Sequence, residues 1–150
     1  MKFNAIIGSI FTAVAVSGAA LRPIQASFYN VTDFHASCIP HSLFCSYEFD
    51  VVAESSTSPT NCSLMLLGPD SLPPVGQTGC EDPAYSWSVA VSNGTIALSV
   101  TTPLNGRMNL TGTHIVPTNQ LIRVQNGASV SQRYNGPTSF TMNTVGTPRK

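Results

Sequence analysis

The sequence predicts an all-β fold: one antiparallel domain, a β-sandwich or β-barrel of about eight strands. Three observations carry that expectation. Short runs alternate large apolar with small or polar residues, and turn residues separate the runs. No segment beyond the first 20 residues shows a helical period. The chain also has 4 cysteines behind an export signal, which adds two disulfides to the picture.

The export signal comes first. Lys2 is charged, Ala5–Val16 is apolar apart from Gly8, Ser9 and Thr12, and Ser17-Gly18-Ala19-Ala20 is small. That order is a secretory signal peptide over residues 1–20, with cleavage after Ala20 or, second, Ala26. The apolar run is too short and interrupted for a membrane span, and nothing later is long enough. The secreted β-domain is then residues 21–150, and an extracellular place follows.

Composition narrows the partners. Only 9% of the 150 residues are charged, with 7 bases against 7 acids. All the acids lie between Asp33 and Asp82, and five of the six bases left after export lie between Arg107 and Lys150. The simplest reading is that each charge is solvated. No basic cluster exists, so a nucleic-acid surface is not expected.

Phe28–Ala36 is strand-like, but its faces conflict. Tyr29 and Val31 share one side; Phe28 and Phe34 share the other. Either a bulge switches the faces or both sides are partly covered. Cys38–Ser42 is a turn, since Pro40 bars a regular ladder. Leu43–Ala53 alternates cleanly, with Cys45, Tyr47, Phe49 and Val51 facing inward. Glu54–Thr60 is a polar loop, Cys62–Leu67 a short apolar strand, and Gly68–Gly79 a long Pro/Gly loop.

The central hairpin follows. Tyr85, Trp87, Val89 and Val91 alternate with small residues up to Asn93-Gly94, a strong type I′ turn signal. Beyond it, Ile96, Leu98 and Val100 resume the alternation. A two-residue turn pairs Val91 with Ile96, Val89 with Leu98 and Trp87 with Val100, apolar on apolar. Pro103–Arg107 is a turn, after which Met108, Leu110 and Gly112 alternate with Asn109 and Thr111 up to Ile115-Val116-Pro117. A second hairpin lies around Asn126-Gly127, where a three-residue loop over Gln125–Gly127 would pair Val124 with Ala128 and Ile122 with Val130. Phe140 and Met142 mark the last strand, and residues 146–150 read as a frayed tail.

The cysteines are Cys38, Cys45, Cys62 and Cys80, which allow three pairings. Proximity favours Cys38–Cys45 and Cys62–Cys80. In a chain-entropy model these loops contribute roughly 2.5 and 3 kcal/mol. Zinc competes poorly, because the spacings lack a CxxC knuckle. Four sequons, at Asn30, Asn61, Asn93 and Asn109, fit a glycoprotein. Asn93, at a hairpin tip, is the best acceptor; Asn61, beside Cys62, is the worst.

No catalytic signature stands out. Asp33 and His35 share a strand face, yet there is no GxSxG elbow and no HExxH. Glu48 and Asp50 share the polar face of a strand, and Glu81-Asp82 sits in a loop, so paired carboxylates for sugar hydrolysis are weak. His35, His41 and His114 have no local metal-site spacing. Trp87 faces the core and fills it rather than stacking on a sugar. The expectation is therefore no enzyme, no cofactor and no metal.

The signal peptide, DFHASCIPHSLFCSYEFDV at Asp33–Val51, CEDPAYSWSV at Cys80–Val89 and LTGTHIVP at Leu110–Pro117 resemble small secreted fungal proteins of the Alternaria major-allergen-like group. The resemblance covers most of the mature chain in length, strand rhythm and cysteine usage. The group includes elicitors and candidate effectors. The resemblance implies a β-barrel or sandwich, an extracellular place and contact with plant hosts, and it carries over no catalytic residue. The leading expectation is then an effector- or elicitor-like interaction protein that binds a host extracellular protein or cell-wall component. A non-catalytic module for cell-wall carbohydrate or a small molecule comes second. A small hydrolase or metalloenzyme comes last.

Overall fold

The computed structural model describes residues 27–150; the expected signal peptide and both cleavage points lie outside the described residues. Ten strands follow in order: β1 (Phe28–Cys38), β2 (Phe44–Ala53), β3 (Thr60–Leu67), β4 (Val75–Gly79), β5 (Ser86–Ser92), β6 (Thr95–Pro103), β7 (Met108–Val116), β8 (Leu121–Asn126), β9 (Ser129–Tyr134) and β10 (Phe140–Pro148). A single 3-10 turn, Thr118–Gln120, precedes β8. Eight strands form one antiparallel path, β3-β2-β1-β10-β7-β6-β5-β4. β10 is its corner. Phe140–Asn143 pairs with β1, and Thr144–Pro148 pairs with β7.

The path nearly closes into a barrel. Its two ends, β3 and β4, meet at a seam held by the Cys62–Cys80 bridge. Beside the bridge, the Glu81 N–H donates to the Asn61 carbonyl at 2.9 Å, and the Asp82 N–H donates to Thr60 Oγ1 at 2.9 Å. Cys38–Cys45 joins directly paired residues of β1 and β2.

The core follows from the alternation. Trp87 meets Phe49 edge-on at 5.3 Å and Tyr47 at 6.1 Å, so the β5 indole packs on the opposing β2 face. Buried tyrosines find acceptors or donors for their hydroxyls, as burial requires. Tyr29 Oη donates to the Leu110 carbonyl at 3.0 Å, Tyr47 Oη donates to the Pro73 carbonyl at 2.9 Å, and Tyr85 Oη accepts from the Ala53 N–H at 3.1 Å. Burial pushes the Tyr47 phenol well above its ordinary range.

The central hairpin has the expected register, from Ser92↔Thr95 to Trp87↔Val100. Asn93 and Gly94 take φ of 49° and 76°, as a type I′ turn requires. Val91 differs from expectation: it is 42% exposed, one residue pair from the hairpin tip. In β1 the bulge is real. The register with β2 shifts between Thr32 and His35, and Asp33 sits at φ 52°. The bulge brings Tyr29, Val31, Phe34, Ala36 and Cys38 all to the core side.

Three expectations are corrected. β4 lies within the segment read as a Pro/Gly loop; of its residues only Val75 is buried, so the apolar pattern was too sparse to show it. Residues 146–148 are not frayed, because they complete the ladder with β7, and the Arg149 N–H continues it to the Arg107 carbonyl at 2.9 Å. The second hairpin pairs Asn126 with Ser129, Gln125 with Val130 and Val124 with Ser131, so its turn is Gly127-Ala128. Gly127, at φ 63°, sets that register. β8 and β9 have no strongly buried face, so matching apolar residues could not.

Candidate functional site

The cleft with the most chemistry lies between β1 and the β8–β9 hairpin. The hairpin joins the sheet at one register point, Ser37↔Arg133. On one side of that point is a cleft of about 420 Å³ lined by Phe34, His35, Tyr134, Asn135 and Thr138. On the other is a hollow of about 330 Å³ lined by Cys38, Ile39, Val124 and Ser131. Ser37 and Arg133 belong to both. A groove therefore runs along the outer end of β1, with Arg133 at its middle.

Each wall has a local cause. The Asp33 bulge turns His35 outward while Phe34 goes in. Phe34 then receives Tyr134 edge-on at 4.9 Å and Phe140 at 5.5 Å. Tyr134 Oη donates to the Pro137 carbonyl at 2.7 Å, which fixes the ring, and partial burial raises its pKa. The Asn135 N–H donates to the Gln120 carbonyl at 2.8 Å, tying the far wall to the 3-10 turn. Arg133 is exposed, and its guanidinium has no hydrogen-bond or ion-pair partner among the described residues. Arg123, on β8, spends one amine on Ser71 Oγ at 3.0 Å.

A second polar face lies on β6, β7 and β10. Thr111 Oγ1 is 3.0 Å from both Thr101 Oγ1 and Thr147 Oγ1, and Ser99 Oγ is 3.1 Å from Thr113 Oγ1. A cleft of about 470 Å³ runs beside this hydroxyl row, with Gln77, Asn109, Arg149 and Lys150 on its rim.

The residues singled out in the sequence fall in scattered places. All four cysteines are in the two bridges. Asn93 is exposed at the hairpin tip. Asn61 donates to Asp50 Oδ1 at 3.0 Å, Asn30 Oδ1 accepts from Thr141 Oγ1 at 3.0 Å, and Asn109 is half-buried opposite Pro103. His35 pairs in register with Glu48 on an exposed face, and His41 is in the turn between the first two strands. His114 stacks flat on Phe140, with centroids 3.7 Å apart and planes 12° apart. Burial there lowers its pKa. The three histidines thus stand apart, and among the described residues no three His, Cys, Asp or Glu side chains gather to hold a metal. No described helix is long and apolar enough to cross a membrane.

Sequence reasoning missed the groove. Arg133 and Tyr134 lie on a strand whose apolar pattern is weak. The conflict of faces in β1 was the available signal, because the bulge that resolves it turns outward His35, which lines the cleft.

No family model matches the sequence, and no curated protein matches it. Solved structures do match. One crystal structure of the Alternaria alternata major allergen Alt a 1 superposes with a TM-score of 0.55 at 12% identity, over 83% of this chain and 97% of that one. A second Alternaria alternata Alt a 1 structure gives 0.58 at 15% identity, over 83% and 92%. The chain has the fold of that allergen.

Proposed function

We propose that this chain is a secreted interaction protein, effector- or elicitor-like, that binds a host extracellular partner through the groove at Arg133. The observation that carries this reading is the guanidinium itself. Arg133 lines an open groove between two elements together with His35 and the fixed ring of Tyr134, and its guanidinium has no hydrogen-bond or ion-pair partner among the described residues. An arginine so placed suits a carboxylate or another planar acceptor, bound with two parallel hydrogen bonds. The export signal, the paired disulfides and the allergen fold support an extracellular place. On this reading the chain performs no reaction of its own.

The test is capture from leaf extracellular fluid by the immobilised mature protein. Arg133→Glu should weaken capture at least tenfold while the circular dichroism spectrum stays that of the wild type. Undiminished capture by the folded variant would overturn the role of the groove. Replacing His35, His41 and His114 together with Gln should leave a host response largely intact; its loss in a folded variant would favour an enzyme.

A second reading has its own observation. The Thr101–Thr111–Thr147 hydroxyl row beside a cleft suits a cell-wall carbohydrate. Sedimentation of the protein with insoluble wall polysaccharide, abolished by Thr111→Val and untouched by Arg133→Glu, would favour it.

A further inference from the structure

The outer face of β4, β5, β6, β7 and β10 carries a polar row. Trp87, Val100 and Leu110 point into the core, so their chain neighbours Ser86, Thr101 and Thr111 point out. Gln77 Nε2 donates to Ser86 Oγ at 3.0 Å, and Ser86 pairs in register with Thr101. Thr101, Thr111 and Thr147 are then linked hydroxyl to hydroxyl, at 3.0 Å each. The five strands are consecutive in the sheet, so the row is about 19 Å long at ordinary strand spacing. Ser99 and Thr113, two residues along on β6 and β7, add a further linked pair at 3.1 Å.

The row ends on cations. Arg149 and Lys150 line the cleft beside Thr147. The Arg149 N–H, bonded to the Arg107 carbonyl, extends the ladder in which Thr147 faces Asn109. Arg107 and Arg149 therefore face each other one step further along, on the same outer side as Thr147. Arg149 also gives one amine to the Asn105 carbonyl at 3.2 Å, which leaves it other donors. Three of the chain's 7 bases thus stand together, while all 7 acids lie between Asp33 and Asp82 and none of them lines the cleft. Like charges set opposite one another repel. A bound anion would offset that repulsion where the fold itself does not.

We propose that this cleft holds a stretch of a linear acidic polysaccharide, a polyuronate, laid across the strands along the hydroxyl row. The sugar hydroxyls bond to Thr101, Thr111 and Thr147, and a uronate carboxylate sits on Arg149 and Lys150. A carboxylate matches the planar fork of an arginine, and the hydroxyls beside it on the sugar match the threonines. Among the described residues no aromatic ring lines the cleft. A nucleobase would have nothing to stack on there, and a neutral sugar would leave the cations unused. Binding of this kind rests on the hydroxyl row being a carbohydrate surface, and it leaves the groove at Arg133 open to a different partner.

The test is a calorimetric titration of the mature secreted protein with a de-esterified oligogalacturonide. Binding should saturate and should weaken as salt is raised. The methyl-esterified oligomer should bind at least tenfold more weakly, and so should the acid form to the double variant Arg149→Gln, Lys150→Gln. Thr111→Val should weaken binding about fivefold, as one lost hydrogen bond does. Arg123→Gln, which removes a charge outside the cleft, should change nothing. If Thr111→Val does not fold, NMR shifts in the wild type serve instead, and the amides of Thr101, Thr111 and Thr147 should move on titration. Equal binding of acid and ester, lost in Thr111→Val, would overturn the acidic ligand and keep the carbohydrate surface. Binding of neither form, nor of a neutral glucan oligomer, would overturn both. Tighter binding of dextran sulfate or of duplex DNA, or a folded Thr111→Val that binds as the wild type does, would reduce the cleft to a general polyanion contact and overturn the proposal.

Discussion

Trp87 is 1% exposed, and its indole touches the aromatic rings of the facing β2 strand. Trp87→Ala should therefore cost about 3–5 kcal/mol in a denaturant titration. Ser88→Ala, on the other face, should cost far less; equal small effects would contradict the burial. Gly112 tests the packing from the opposite direction. A Cβ there would lie 2.9 Å from Tyr29 Cδ2 and 3.0 Å from Met142 Cβ, so Gly112→Ala should destabilise by roughly 1–3 kcal/mol through overpacking. His114 adds a pH dependence. Its folded pKa lies below the ordinary 6.5, because burial against Phe140 disfavours the charged ring. Between the two values the unfolded chain binds more protons. This contribution to stability is complete above about pH 6.5 and is lost as pH falls through the folded value. His114→Gln should flatten that fall in melting curves taken across pH, and an NMR titration should place the His114 midpoint below 6.5. Trp87 could be read from alternation alone. The His114–Phe140 stack could not, because it depends on β10 lying beside β7, a pairing between strands distant in the chain.

At the level of elements, what could be read depended on how strongly one face is buried. In β5 and β6 the turn residues and both faces demanded one register, and it is the register present. In β1 the conflict between Tyr29 and Phe34 signalled the bulge without locating it. β8 and β9 have no continuous buried face, Ser131 alone being buried, so a glycine with positive φ decided their register. β4 has one buried residue and two glycines, too little for any pattern. Yet β4 matters, because the Cys62–Cys80 bridge just beyond its end holds the seam. Replacing Cys62 and Cys80 together with Ser should cost about 3 kcal/mol. Hydrogen exchange should quicken in β3 and β4 while β6 and β7, paired on both sides, keep their protection. Uniform loss of protection would show that the bridge holds the whole barrel rather than its seam.

For the molecule as a whole, the aromatic core and the two bridges make a braced scaffold, and the groove is a consequence of how its elements join. A single register point between β1 and β9 leaves space on both sides, and Arg133 occupies the junction. The barrel was legible in the sequence because burial imposes a period on it. The groove was not, because an exposed arginine leaves no period. Hydrogen-exchange footprinting of the protein, alone and bound to its captured host partner, tests the account most directly. Protection should concentrate on residues 35–38 and 133–136 and disappear in Arg133→Glu. Protection confined to β6, β7 and β10, with the groove unchanged, would contradict it.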